Sequence, residues 1–291
     1  MGQPGRTQSL PPESHTVGWI CALPCELTAA VAMLDHRYTW PQNQFRPDEN
    51  NYTLGSIAGH HVAIVCLPEY GTNKAAIAAK SMQATFPNIR FGLLVGVRGG
   101  VPGHITDTVG TNAIRLGDAV VSLPAEQGGE IDGFRRVGAL NNKQAANSFK
   151  ECSCELEAEL WLGRHLAGSI HGSNNDDEEE GAELWTYPGI DMDVLFAPGF
   201  KHHPPGAQNY NKCIEIGSPA YTATRAVRRT TYPMVHYDNI GSNDSLVKDG
   251  LERDELVQRD SVISFEMEAA GLMDDFPCVV IRGISDYADL H

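Results

Sequence analysis

Four carboxylates in this chain have the type and spacing for acid–base work on a small polar substrate. Glu266 and Glu268 lie in Phe265-Glu-Met-Glu-Ala-Ala-Gly271. The apolar run Cys278-Val-Val-Ile281 follows, and then Arg282-Gly-Ile-Ser-Asp-Tyr-Ala-Asp289, which carries Asp286. Glu26 stands far away in sequence, just after Pro24. Acids in the first turn of a helix also complement its dipole, and an aspartate after a strand also caps a following helix. What raises three of them above that reading is where they fall. Glu26, Glu268 and Asp286 all sit at strand–helix junctions, and in open α/β sheets ligands bind in the crevice at the carboxyl ends of the strands.

The spacing predicts more detail. A helix beginning near Ser264 would place Glu266 and Glu268 in its first turn. Residues two apart point in different directions on a helix, so one acid faces inward and the other outward. A buried glutamate needs a cation or a hydroxyl-rich ligand. Arg282 is the candidate cation: its strand is otherwise apolar, so it is either paired in the interior or turned out at a strand end. Alternation along that strand puts Arg282, Ile284 and Asp286 on one face. The turn Gly96-Val-Arg-Gly-Gly100 also follows an apolar run, and its backbone N–H groups can line the same crevice or form a simple tight turn.

These residues need a scaffold, and the pattern supplies one. Val17-Gly-Trp-Ile-Cys-Ala22, Phe91-Gly-Leu-Leu-Val-Gly-Val97 and Asp118-Ala-Val-Val-Ser-Leu123 read as buried strands. Tyr52-Thr-Leu54 and His61-Val-Ala-Ile-Val-Cys-Leu67 read as a hairpin turning near Ala58-Gly59. Pro24 suits the first position of a helix carrying Leu27, Val31 and Leu34. Thr72 is placed to cap a second helix, with Ala75, Ala78, Met82 and Phe86 inward. A long surface helix is expected over 144–168. The acidic run Gly172-Ser-Asn-Asn-Asp-Asp-Glu-Glu-Glu-Gly181 reads as a solvated loop, and 186–212 as an irregular insertion. Alternating strands and helices predict a three-layer α/β/α fold with a central mixed, mostly parallel twisted sheet. The expected organisation is a disordered leader over 1–15 and a single domain over 16–291. The insertion at about 170–212 and the leader look dispensable to its core.

Bulk properties restrict the function classes. The 291 residues carry a formal net charge of −15, which disfavours partners that need a basic surface, namely nucleic acid and anionic membrane. No apolar stretch approaches the ~20 residues that span a bilayer, and the first residues lack the apolar core of a signal peptide. Seven cysteines, an odd number, without such a signal favour a reduced, cytoplasmic setting. Cys152 and Cys154 have no second pair at zinc-finger spacing.

Five segments together resemble the nucleoside phosphorylase and nucleosidase superfamily. They are Ile20-Cys-Ala-Leu-Pro-Cys-Glu26, Gly96-Val-Arg-Gly-Gly-Val101, Arg115-Leu-Gly-Asp-Ala-Val-Val121, Phe265-Glu-Met-Glu-Ala-Ala-Gly271 and Arg282-Gly-Ile-Ser-Asp-Tyr-Ala-Asp289. They occur in the family's order from about Val17 to the last residue. In detail the chain is similar to the fungal branch, near purine nucleosidases and methylthioadenosine/S-adenosylhomocysteine nucleosidases. The resemblance implies a purine nucleoside substrate and no metal or organic cofactor. It implies that Asp286 hydrogen-bonds or protonates purine N7, with Ser285 orienting it. It further implies that Glu268, supported by Arg282, binds the ribose hydroxyls while Met267 packs on the sugar. Val97, Arg98 and Gly99 would line the pocket, with Leu246 and Val247 in the wall around the base. Relatives assemble, so a homodimer is expected. The family also continues past the serine–aspartate pair into a helix this chain lacks, and fungal members often stand in front of further domains. Downstream domains in a longer natural protein are therefore expected.

Within that resemblance the first motif separates hydrolysis from phosphorolysis. Bacterial-type phosphorylases carry an arginine for phosphate there, and nucleosidases a glutamate that activates water. This chain has Glu26, and Leu94 where a phosphorylase has a second arginine. A carboxylate repels phosphate and accepts a proton from water. N-glycosidic cleavage builds positive charge on the sugar and negative charge on the base, which an acid at the base and a carboxylate near the sugar stabilise. As an acid near neutrality Asp286 would need a raised pKa, which burial supplies. The reading is a purine nucleoside N-ribohydrolase, with a phosphate-dependent phosphorylase and a weakly active nucleoside-sensing domain as alternatives. Arg98 is unusual in a turn of small residues. It can bind phosphate, fill the pocket or face solvent.

Overall fold

The computed structural model describes residues 8–41, 48–103, 113–122, 130–131, 134–137, 190–201, 213–214, 221–223, 225–228, 232–276, 278–289 and 291. The expected helix over 144–168, the acidic run 172–181 and the pair Cys152 and Cys154 lie outside these residues.

The centre of the fold is β1 (Val17–Cys21), buried at every position. It lies between β4 (His60–Cys66) and β5 (Phe91–Gly99) and is parallel to both. With β2 (His36–Tyr38), β3 (Tyr52–Ile57), β6 (Ala119–Ser122), β9 (Val235–Asp238) and β12 (Cys278–Asp286) it forms an eight-stranded sheet in the order β2-β3-β4-β1-β5-β12-β6-β9. Four pairings are parallel (β4-β1, β1-β5, β5-β12, β6-β9) and three antiparallel (β2-β3, β3-β4, β12-β6). The sheet is thus mixed, as the alternation of elements predicts.

Strand alternation divides the core into layers. On one face, Ile20 and Ala22 of the first strand segment join Ala63, Val65 and Leu94 under the inner side of α2 (Thr72–Thr85). On the other, Val17, Trp19 and Cys21 join Val62 and Ile64 with Leu27 and Ala30 of α1 (Pro24–Ala32). A strand that is apolar at every position is the signature of a sheet covered on both faces. Each fully buried side chain such as Ile20 or Leu94 contributes roughly 1.5–3 kcal/mol of transfer free energy. A third cluster joins Val101 and Phe265 to Leu256 and Val257 of α3 (Gly250–Asp260).

Several expectations hold in detail. The hairpin turns at Ala58 and Gly59, both at positive φ. The inward face of α2 is Ala75, Ala78, Met82 and the following Phe86, all buried. No helix among the described residues is long and apolar enough to cross a membrane.

Other expectations are corrected. Thr72 does not cap α2. Gly71 holds the cap position, and Asp244, distant in sequence, accepts from the backbone and hydroxyl of Thr72 at 2.8 Å each. The leader was expected to reach His15, but Pro12–Ser14 form a 3-10 turn and His15 is fully buried against Phe86 and His61. No helix begins near Ser264: Ser264–Glu266 is a strand, β11. It belongs to a second, four-stranded sheet, in the order β11-β10-β8-β7, with β10 (Ile240–Ser242), β8 (Phe134–Val137) and β7 (Glu130–Ile131). Part of the supposed insertion is structural, because Asp193 and Phe196 are buried.

Candidate active site

Parallel pairing brings the carboxyl ends of β1, β5 and β12 to one edge of the large sheet. Glu26 reaches that edge from the third residue of α1, the helix that follows β1. One of its oxygens, Oε2, accepts from the backbone N–H groups of Ala22 at 2.7 Å and Leu23 at 2.9 Å. The other, Oε1, accepts from Val97 N–H at 2.8 Å. The helix start and the end of β5 therefore grip one carboxylate. A carboxylate has about four lone-pair sites, so Oε1 keeps one for another proton donor. A Cβ on Gly96 would collide with both Glu26 Oε1 and Arg282 Nη1. Only glycine lets these two side chains meet over the strand.

Arg282 lies in β12 with no exposed surface. Its Nη2 donates to Glu266 Oε2 at 2.6 Å and to Glu268 Oε2 at 3.2 Å. Glu266 also accepts from the backbone N–H groups of Glu268 and Ala269. Neither glutamate faces solvent, contrary to the helical reading, since their side chains are 0% exposed. The reason is the local structure: Glu266 ends a strand, and Glu268 caps a short 3-10 turn, Ala269–Gly271. Burial pushes the Glu268 carboxyl above the ordinary carboxylate range and Glu266 adds to this, while Arg282 and Arg98 oppose it. Burial works against the charge on Arg282, but Glu266, Glu268 and Glu26 outweigh it and hold the guanidinium charged.

Arg98 does not reach for solvent. Its Nη2 donates to Glu268 Oε1 at 2.6 Å, and its side chain is 13% exposed. Two guanidiniums thus hold the two oxygens of Glu268. Among the described residues, the buried Nε of Arg98 has no hydrogen-bond partner.

Asp286 ends β12 beyond a register shift between Ile284 and Asp286, so simple alternation from Arg282 does not carry through to it. It is half-buried, less than its expected role asked. Its Oδ2 accepts from the Ser285 hydroxyl at 2.9 Å and its Oδ1 from Ala288 N–H at 2.8 Å. A Cβ on Gly99 would lie 2.7 Å from Oδ1, so that glycine keeps room for the carboxylate.

The next residue is clamped at both ends. The Tyr287 hydroxyl donates to Asp193 Oδ1 and accepts from Arg225 Nη1 at 2.5 Å and from Leu116 N–H at 3.2 Å. The Tyr287 carbonyl accepts from Arg253 Nη1 of α3 at 2.8 Å. Arg115 completes this group with a 3.0 Å pair to Asp193. Beside it Asp118 accepts from Arg228 at 2.6 Å, His236 at 2.9 Å and Met234 N–H at 2.9 Å. Burial pushes Asp118 up, but these bonds and the one from Arg115 N–H outweigh it and hold the carboxyl down to about 2. Asp118 also ties its carbonyl to Ile284 N–H at 2.8 Å, two residues before Asp286.

The structure thus places two groups side by side at these strand ends, Glu26 on Val97 N–H and the ion-paired set Arg98, Glu268 and Arg282, with Gly99 and Asp286 adjoining. Met267 is buried beside them in the chain. Leu246 is half exposed, whereas Val247 is buried in the cluster with Val101, Phe265 and Ala288. Sequence reasoning missed Glu266 as the strong partner of Arg282. It also missed Asp193, Arg225, Arg253 and Tyr287 as the clamp behind Asp286. Arg115 and Asp118 were visible only as members of a motif.

No family model matches the chain. Among curated proteins it is similar to a nucleotide-binding leucine-rich repeat (NLR)-like protein of Hyaloscypha variabilis, 44% identical over 296 residues and covering 98% of this chain. The chain spans 28% of the length of that relative. Similar solved structures include S-adenosylhomocysteine nucleosidase of Streptococcus pyogenes, with 15% identity, coverage of 95% of this chain and 86% of the other, and a TM-score of 0.48. The 5′-methylthioadenosine/S-adenosylhomocysteine nucleosidase of S. pneumoniae gives 18% identity, coverage of 94% and 87%, and a TM-score of 0.46. Futalosine hydrolase of Helicobacter pylori, as a mutant, gives 14% identity, coverage of 95% and 87%, and a TM-score of 0.47.

Proposed function

We propose that this chain is a purine nucleoside N-ribohydrolase. One observation carries the reading: the Glu26 carboxylate, fixed by Val97 N–H at 2.8 Å, shares the bare surface of Gly96 with the arginine that holds Glu268. A proton acceptor and a sugar-binding carboxylate on one strand end suit attack of water on a ribosyl carbon.

In this mechanism Glu26 takes a proton from water as the water oxygen bonds to C1′ of the ribose. The C1′–N bond breaks and its electron pair goes to the purine. Asp286 gives a proton to N7, so the base leaves neutral. Glu268 accepts hydrogen bonds from the ribose hydroxyls, and Arg282 favours its charged form against the effect of burial. The products are free base and ribose, and solvent returns the proton from Glu26 to Asp286.

The test is incubation of purified protein with adenosine, inosine, guanosine and methylthioadenosine, with and without phosphate. Free base and free ribose without phosphate are expected. Ribose 1-phosphate formed only with phosphate would overturn the proposal. The Glu26 carboxylate favours water over phosphate, because it repels an anion and accepts a proton.

A second reading has its own support. The NLR-like relative is much longer than this chain, so the same site can serve nucleoside recognition within a larger protein. Tight nucleoside binding without turnover would favour it. A homodimer is part of either reading, and sedimentation velocity tests it.

A further inference from the structure

We infer that Arg98 is a specificity residue of the sugar subsite: it covers Glu268 and must yield it to the vicinal hydroxyls of an incoming riboside. This rests on the reading of Glu268 as the sugar-binding carboxylate.

The Glu268 side chain has no exposed surface, and both oxygens are held, Oε1 by Arg98 Nη2 at 2.6 Å and Oε2 by Arg282 Nη2 at 3.2 Å. Each oxygen keeps a second acceptor site, but with the side chain wholly buried a hydroxyl reaches this carboxylate only when a group that covers it moves. The two arginines are not equivalent. Arg282 is wholly buried and bound more closely to Glu266, at 2.6 Å, than to Glu268. Moving it would strand charges in the interior, which costs several kcal/mol. Among the described residues Arg98 makes one ion pair, with Glu268, and it is 13% exposed; each arginine has a buried Nε without an acceptor, so exposure and pairing are what set them apart. Turning Arg98 outward hydrates its charge and frees its Nε. Glu268 remains paired with Arg282, so no lone charge is left behind.

The vicinal diol of a riboside brings two O–H donors to a carboxylate that accepts at both oxygens. A free base brings nothing to this position. Displacing Arg98 therefore lowers apparent affinity for any ligand that enters the sugar subsite, by the fraction of molecules in which Glu268 is uncovered. It does not touch the affinity for base alone.

The experiment is equilibrium dialysis of adenosine and of adenine in the Glu26→Gln background, comparing Arg98 with Arg98→Met and Arg98→Lys. Methionine keeps the apolar stem and removes the donors, so the turn retains its packing. If the covered form exceeds the open one by roughly ten to one, Arg98→Met binds adenosine about tenfold more tightly, with adenine unchanged. Lysine, which keeps a cation but not the fork, falls between. Adenosine affinity unchanged or weakened in folded Arg98→Met overturns the inference, as does an absence of adenosine binding to every variant. Tightened adenosine binding in a protein whose parent with Glu26 intact never releases ribose leaves the inference standing and removes the hydrolase reading.

Discussion

Arg282 and Glu266 form an ion pair with no exposed surface, Nη2 to Oε2 at 2.6 Å, that joins the last strand of the large sheet to the end of the small one. Glu268, two residues further, draws on the same guanidinium. A buried pair of this kind adds little net stability against an apolar substitute, but removing one partner is costly. Arg282→Met is expected to destabilise the fold by about 3–5 kcal/mol, because Glu266 and Glu268 lose their shared cation. Urea unfolding monitored by fluorescence measures this. A loss under about 1 kcal/mol would mean that the pair is not what holds the two sheets together.

Glu26 and Asp286 act at the two ends of the bond in the proposed reaction. Glu26→Gln and Asp286→Asn should each lower kcat/KM by about a hundredfold or more, the usual scale of acid–base catalysis. Circular dichroism should be unchanged for Asp286→Asn, which is half-buried. Steady-state release of ribose is the measurement, and unchanged rates would remove these roles.

Tyr287 anchors the residue next to Asp286. Tyr287→Phe takes a partner from Asp193, Arg225 and Leu116 N–H. Stability should fall by about 1–3 kcal/mol, the cost of leaving buried polar groups unsatisfied. Turnover should fall while KM changes little, because the clamp holds the Asp286 loop rather than the sugar. Thermal melts and a kcat-against-KM comparison check the two parts separately.

Asp118 gives a pH signature. Its carboxyl is depressed from 3.8 to about 2 in the folded protein. A depressed acid contributes stability that is present above its unfolded value near pH 4 and lost as pH falls through about 2. The contribution is about 2 kcal/mol. Urea midpoints of the parent and Asp118→Asn, measured from pH 5 to pH 2, should converge as pH falls. A constant gap would show that Asp118 is not held ionised by Arg228 and His236.

Much of the frame is legible in the residues themselves. Val17–Cys21 and Cys278–Ile281 are apolar at every position, and only a sheet covered on both faces suits such strands. The turn at Ala58-Gly59 and the three- and four-residue spacing of Ala75, Ala78 and Met82 specify local structure by local chemistry. The carboxylates Glu26, Glu268 and Asp286 could be picked out because they follow strands. Their partners could not. Phe265–Gly271 is rich in residues that favour helix, yet pairing with Ile240–Ser242 makes its first part a strand and turns both glutamates inward. That pairing spans a separation no local pattern encodes. The same holds for Arg98, whose choice among phosphate, pocket and solvent was open in the sequence. Parallel pairing of Phe91–Gly99 with the last strand brings it to Glu268, and the lack of a Cβ at Gly96 lets Glu26 and Arg282 meet nearby. Residue types determined which groups can do chemistry; tertiary pairing decided which of them are buried together, and with charges that close, burial governs what each can bind.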